Sequence, residues 1–249
     1  MSTAALSQTA AQRPIRGRRY DNYFFGAMVA LIFLLVVVGF ARTYFLAGLF
    51  RAPLPAPIIH LHGALFTTWI LLLITQTSLV SAGRVDIHRK LGMAGFLLAV
   101  GMVIVGVLAA TNSLTRNFAP PGLEPLTFYI IPLADMFLFA TLTFFAYRAR
   151  FDPAAHKRLI LLATVALMDA PTGRPPFSVI TGRPHFDSIF CYLFIVLLIG
   201  YDLWSTRKVH KATIWGSVLL FVITQIRVPI GFTGPWHNLA SWVQTVAKG

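Results

Sequence analysis

Acidic residues are scarce in this sequence: 8 Asp and Glu stand against 21 Lys and Arg in 249 residues. Charged residues of both signs make up only 12% of the chain. A soluble domain carries about a quarter, so this composition cannot build an ordinary water-facing surface. Cysteine is nearly absent too. Cys191, the one cysteine, lies in an apolar run. This excludes an internal disulfide and any zinc or iron–sulfur centre held by several thiolates. There is no G-x-S-x-G turn, no Walker loop, no dinucleotide fingerprint and no H-E-x-x-H, so the hydrolase and nucleotide-dependent classes have little support. No lysine stands midway along the last apolar run, where a retinal protein would need one. No inverted repeat of the transporter kind is visible.

What the chain has in abundance is apolar length. Hydrophobic residues make up 57% and mean hydropathy is +0.72. A bilayer core of about 30 Å takes about 20 apolar residues as a helix. Candidate spans lie near 22–44, 60–81, 90–111, 126–148, 156–171, 187–204 and 211–232. The fifth is the shortest and runs into "DAPTGRPP". In lipid the backbone must satisfy its own hydrogen bonds, so these runs are helices. The alternating ten-residue segments of an outer-membrane barrel are missing. The expected fold is an all-α polytopic bundle of seven transmembrane helices over residues 22–232. A basic, disordered cytoplasmic tail (1–21) precedes it and a short external segment (233–249) follows. The first run is too long for a signal-peptide core and is followed by "ARTYF", so it reads as an uncleaved span.

The net charge of +13 does not point to nucleic acid, because the basic residues sit in short clusters between apolar runs. Fourteen of the 21 fall in the tail and the even-numbered connections, including Arg84, Arg89, Lys90, Lys157, Arg158, Lys208 and Lys211. The positive-inside rule then places the N-terminus in the cytoplasm of a bacterial inner membrane and the C-terminus outside. Anionic lipid headgroups are the expected partners of those clusters.

Ionisable residues inside spans are costly in lipid and are candidates for function. Asp135 lies roughly 13 Å into the fourth span and Arg227 roughly 22 Å into the seventh, at 1.5 Å per residue. Asp169 closes the fifth. Arg227 and Asp169 reach similar depth, and Asp135 is a second candidate partner. Such a group either fixes helix packing or lines a proton or substrate path. Pro132 should kink the fourth helix. In the third span, Gly92, Gly95, Ala99, Gly106 and Ala110 form a smooth stripe for close helix approach, which makes this helix central.

The histidines carry most of the functional signal. His88, His156 and His210 each stand at the start of an outward-running span, beside Lys or Arg, in "VDIHRKLG", "AAHKRLIL" and "RKVHKATI". His62 lies on one face of the second span with Phe66, Trp69, Leu73 and Gln76, while His60 points elsewhere. A membrane cytochrome of b type holds haem iron between two imidazoles on facing helices. The candidate pairs are two of His88, His156 and His210, or His62 with His185 or His237. The inner three sit at positive helix N-termini beside basic side chains, a field that repels a bare cation and suits phosphate or haem propionates.

The stretches "HLHGALFTTWILLLITQTSLVSAGRVDIHRKLG" (60–92), "HKRLILLATVAL" (156–167) and "VHKATIWGSVLL" with "QIRVPIGFTGPW" (209–236) resemble a group of uncharacterised bacterial multi-pass membrane proteins. The resemblance implies a shared architecture and places His62, His88, His156, His210 and Arg227 at motif positions. The helix start "HRKLG" is more distantly similar to membrane families that include a cytochrome oxidase maturation factor. That likeness implies haem or oxidase-assembly work and a respiratory-complex partner. Two other readings stay open on the residues themselves. One is a lipid- or small-molecule-binding transporter or accessory subunit without a redox centre. The other is a metal-dependent membrane enzyme.

Overall fold

The computed structural model describes residues 17–50, 56–182 and 188–249. Arg13, Arg16, Arg51, Arg183 and His185 lie outside them. The described residues are helical and contain no strand. The long helices are α1 (Gly17–Phe40, continued by a π-helical turn Ala41–Phe45), α2 (Pro57–Ser81) and α3 (Val85–Thr115). After a one-turn α4 (Pro125–Phe128) come α5 (Ile130–Arg148), the short α6 (Pro153–Val165), and one-turn helices α7 (Asp169–Thr172) and α8 (Ser178–Thr181). The chain ends with α9 (Ile189–Thr206), α10 (Lys211–Gly231) and α11 (Gly234–Lys248).

Six of these stretches, of 18 to 31 residues, are long and apolar enough to cross a membrane. Their outer faces agree with that. Leu97, Val100, Ile104 and Leu108 of α3 are 52–76% exposed, a stripe that water would not tolerate at this extent. The expected fifth span takes a different form. It is α6, only 13 residues long, then a turn and α7. Pro171 cannot donate to Leu167 and its ring crowds that carbonyl, so α6 does not run on unbroken: it ends at Val165 and one turn of helix resumes at Asp169. Residues 161–168 are buried without a break. This helix is the interior rod of the bundle, apolar on every side because every side is packed.

The same proline logic splits the fourth span. Pro132 lacks the N–H that would bond Phe128, and the chain turns at Tyr129 between α4 and α5. The stripe on α3 packs closely as expected, but the helix is not central: its Leu97, Val100, Ile104 and Leu108 face outward and α6 takes the interior. A Cβ on Gly95 would stand 2.8 Å from Leu72 of α2, and one on Gly106 would stand 2.3 Å from the Met136 sulfur of α5. Thus α3 lies between α2 and α5. The core is built from Phe139, Leu142, Leu162, Phe194, Leu198 and Leu220, all fully buried.

Both expected end segments are partly helix. The last five residues of the basic tail, 17–21, already belong to α1. The C-terminal segment is α11, docked by Trp236, whose Nε1 donates to the Leu126 carbonyl at 2.8 Å, and by Gln244, whose Nε2 donates to the Leu114 carbonyl at 2.6 Å. Its other face leaves Leu239, Trp242 and Val246 exposed.

Candidate functional site

Three polar assemblies interrupt the apolar bundle. The first gathers the intramembrane charges named from the sequence. Arg227 Nη1 donates to Asp135 Oδ1 at 2.5 Å. Its Nη2 donates to Asp169 Oδ2 and, at 3.0 Å, to Ser188 Oγ. Ser188 donates to Asp169 at 2.8 Å, and the Cys191 thiol lies 3.1 Å from the other Asp169 oxygen. Arg227 therefore engages both candidate partners at once and ties α10 to α5, α7 and the start of α9. Asp169 reaches it from the first residue of α7, just past the turn that ends α6. A guanidinium is suited to this role, since its planar fork serves two carboxylates in fixed directions.

The second assembly lies at the basic end, and the sequence pattern alone does not point to it. Arg158, 3% exposed, donates through Nε at 3.0 Å and Nη2 at 2.5 Å to Asp202 Oδ1 of α9. The other Asp202 oxygen accepts from Thr213 Oγ1 at 2.6 Å and from the His210 backbone N–H at 3.0 Å. Lys157 pairs with Asp21 of α1, which also accepts from Tyr201 Oη at 2.6 Å. The pair Lys157–Arg158 reads as a lipid anchor in the sequence. In the fold both side chains turn inward to carboxylates. The available signal was Asp202 itself, an acid two residues inside the end of an apolar run.

The third assembly is formed by histidines. His88 of α3 and His156 of α6 approach to 6.3 Å between ring centroids, at an interplanar angle of 85°. His156 Nδ1 lies 2.9 Å from the Ala146 carbonyl. A carbonyl only accepts, so Nδ1 carries the proton and Nε2 keeps its lone pair. His88 Nδ1 is buried with no hydrogen-bond partner. Gln76 Nε2 donates to the His88 carbonyl at 3.1 Å and fixes the start of α3 against α2.

The other histidines go elsewhere. His210 Nδ1 accepts from the Ala212 N–H at 3.1 Å and caps α10. That hydrogen bond requires an unprotonated Nδ1, so its proton is on Nε2. Burial first, then the Arg158 guanidinium, lowers its pKa below the ordinary 6.5 and favours this neutral form. The inner trio thus divides into a pair and a cap. His62 stacks on Phe66 with centroids 4.0 Å apart, and His60 meets the Tyr44 hydroxyl at 3.2 Å. The face predicted for α2 is the packed one, since Trp69 and Leu73 are buried and Trp69 Nε1 donates to Thr164 at 3.2 Å. His237 bonds Glu124 and Thr127, each at 3.1 Å, and so secures α11. Among the described residues, no three His, Cys, Asp or Glu side chains gather as a metal site.

No known protein family, curated protein or solved structure matches the chain. The class rests on the fold alone: six apolar helices around a buried rod make this a multi-pass helical membrane protein.

Proposed function

We propose that this protein binds one haem between His88 and His156 in the inner membrane of a bacterium, for redox or oxidase-assembly work. The observation that carries the reading is the 6.3 Å separation of the two rings. Two imidazoles that share one metal through bonds of about 2 Å have ring centres at most roughly 6 Å apart, so His88 and His156 would be the residues that hold the iron. The His156 tautomer agrees, because Nδ1–H bonded to a backbone carbonyl is the arrangement that orients a ligating imidazole. Porphyrin supplies four nitrogens of its own, so two protein donors are enough. A bare zinc ion needs three or four, which makes the pair a poor zinc centre. Arg89 and Lys90, exposed beside His88, provide the positive field that two propionates require. When bound, the haem supplies one-electron chemistry at its iron.

The same reading counts seven crossings with the N-terminus in the cytoplasm. Asp21, Lys157, Arg158, Asp202 and His210 meet at one end, so α1, α6 and α10 begin where α9 ends. The chain between α6 and α9 must then reach the opposite end, which makes the broken α6–α8 segment the seventh crossing. The weight of basic residues at that shared end supports its cytoplasmic side.

The test is a dithionite-reduced minus oxidised spectrum of protein purified after expression with ample haem. Sharp α and Soret bands are expected. They should be lost in His88→Ala and in His156→Ala but kept in His210→Ala. A flat wild-type spectrum, or bands that survive both ligand substitutions, overturns the reading.

A further inference from the structure

A cavity of about 950 Å³ opens at the basic end, between the starts of α1, α6 and α10 and the ends of α5 and α9. That volume is at the upper end of the range for ligand sites, about 300–1,000 Å³. Neither His88 nor His156 lines it, so it is separate from the haem reading and does not depend on it.

Its charges can be accounted for one by one. Two carboxylates line it, and both are engaged. Asp21 holds Lys157 and Tyr201. Asp152 accepts from the Ala154 and Ala155 N–H groups at 3.0 and 3.2 Å. Arg158 is committed to Asp202. His210 already caps α10 through the Ala212 N–H, as Asp152 caps α6. Arg148, Lys208 and Lys211 remain. They come from the end of α5, the α9–α10 connection and the start of α10, and none has an ion-pair partner among the described residues. The cavity therefore has three cations without an ion-pair partner against the one carboxylate, Asp152, that is held by backbone alone, and its balance is positive. It also has an apolar wall, where Phe145 and Trp215 meet edge to face at 5.1 Å and Leu159 lies alongside.

Cations beside an aromatic wall suit a molecule with both characters. We infer that this cavity binds the phosphate of an anionic amphiphile. Arg148, Lys208 and Lys211 take the phosphate, and Phe145 and Trp215 take the first part of the chain. Lysine and arginine near a membrane surface favour anionic headgroups in this way. A free phosphate shares the headgroup chemistry but has no use for the aromatic wall.

The experiment is native mass spectrometry of the delipidated full-length protein, titrated with phosphatidylglycerol or phosphatidylcholine of identical chains, with inorganic phosphate as competitor. One phosphatidylglycerol should bind where phosphatidylcholine does not. The triple variant Arg148→Gln, Lys208→Gln, Lys211→Gln should weaken it about a hundredfold. Arg42→Gln, Arg116→Gln, Lys248→Gln removes as much charge from the far ends of α1, α3 and α11 and should leave it intact. Trp215→Ala should weaken lipid binding as well. If inorganic phosphate displaces the lipid at equal concentration and Trp215→Ala has no effect, the occupant is a soluble phosphate and the amphiphile is overturned. Equal retention of the two lipids, or equal loss in the two triple variants, overturns the site itself.

Discussion

Arg227 of α10 and Asp135 of α5 are joined at 2.5 Å in the interior of the bundle, at 2% and 7% exposure. The same guanidinium holds Asp169 and Ser188, so one side chain fixes the packing of four helical elements. Removing one member of a buried pair leaves the other charge without its counter-ion, a cost of about 3–5 kcal/mol. Arg227→Met should therefore lower the melting temperature in detergent sharply. Arg227→Met with Asp135→Asn should recover part of the loss. A double variant no more stable than the single would sink the pairing argument.

Arg158 and Asp202 give a second prediction, about geometry rather than charge. Arg158 bonds Asp202 through two nitrogens, a fork that lysine lacks. Arg158→Lys keeps the charge and should still destabilise the protein, by about 1–3 kcal/mol. Wild-type stability in that variant would show that charge alone suffices.

Gly39 tests the seam between α1 and the broken helix. A Cβ there would stand 2.2 Å from the Pro171 carbonyl oxygen, which is backbone and cannot move aside cheaply. Gly39→Ala should cost about 1–3 kcal/mol. Gly26→Ala on the same helix has open space and should be neutral or slightly stabilising. Thermal unfolding of both variants makes the comparison.

His210 gives a pH prediction. Its folded pKa lies below the unfolded value of 6.5. The folded state then binds fewer protons than the unfolded state within that window, so stability rises with pH there. The cap contributes fully above 6.5 and is lost as pH falls from 6.5 through the folded pKa. Melting curves between pH 8 and pH 5 should show this slope, at about 1 kcal/mol for a cap. His210→Asn keeps a capping oxygen that does not titrate, and should flatten the slope without lowering stability at pH 8. An unchanged slope in that variant would assign the pH response to other groups.

Much of the site was legible in advance where lipid makes the rule strict. Asp135, Asp169 and Arg227 stand out because an unpaired charge in lipid is too costly to leave alone, and they converge in the fold. The small-residue stripe on α3 was readable for a similar reason, since only missing side chains allow the approach of Leu72 and Met136. The histidines were harder. All three inner ones share the same local pattern, a helix start beside basic residues. Which of them meet depends on helix neighbours, and local pattern is silent on that.

The sequence by itself determined that the chain is helical and membrane-embedded, which end gathers its positive charge, and that Pro132 interrupts the fourth span. Those features follow from local rules: backbone hydrogen bonds must close within each segment in lipid, and a proline has no N–H to give. Tertiary structure alone decided that α6 is the buried rod, that Arg158 finds Asp202, and that His88 meets His156 while His210 becomes a cap. Each of these is a contact between residues distant in sequence. It is set by which helices pack together, a global choice made by the whole bundle.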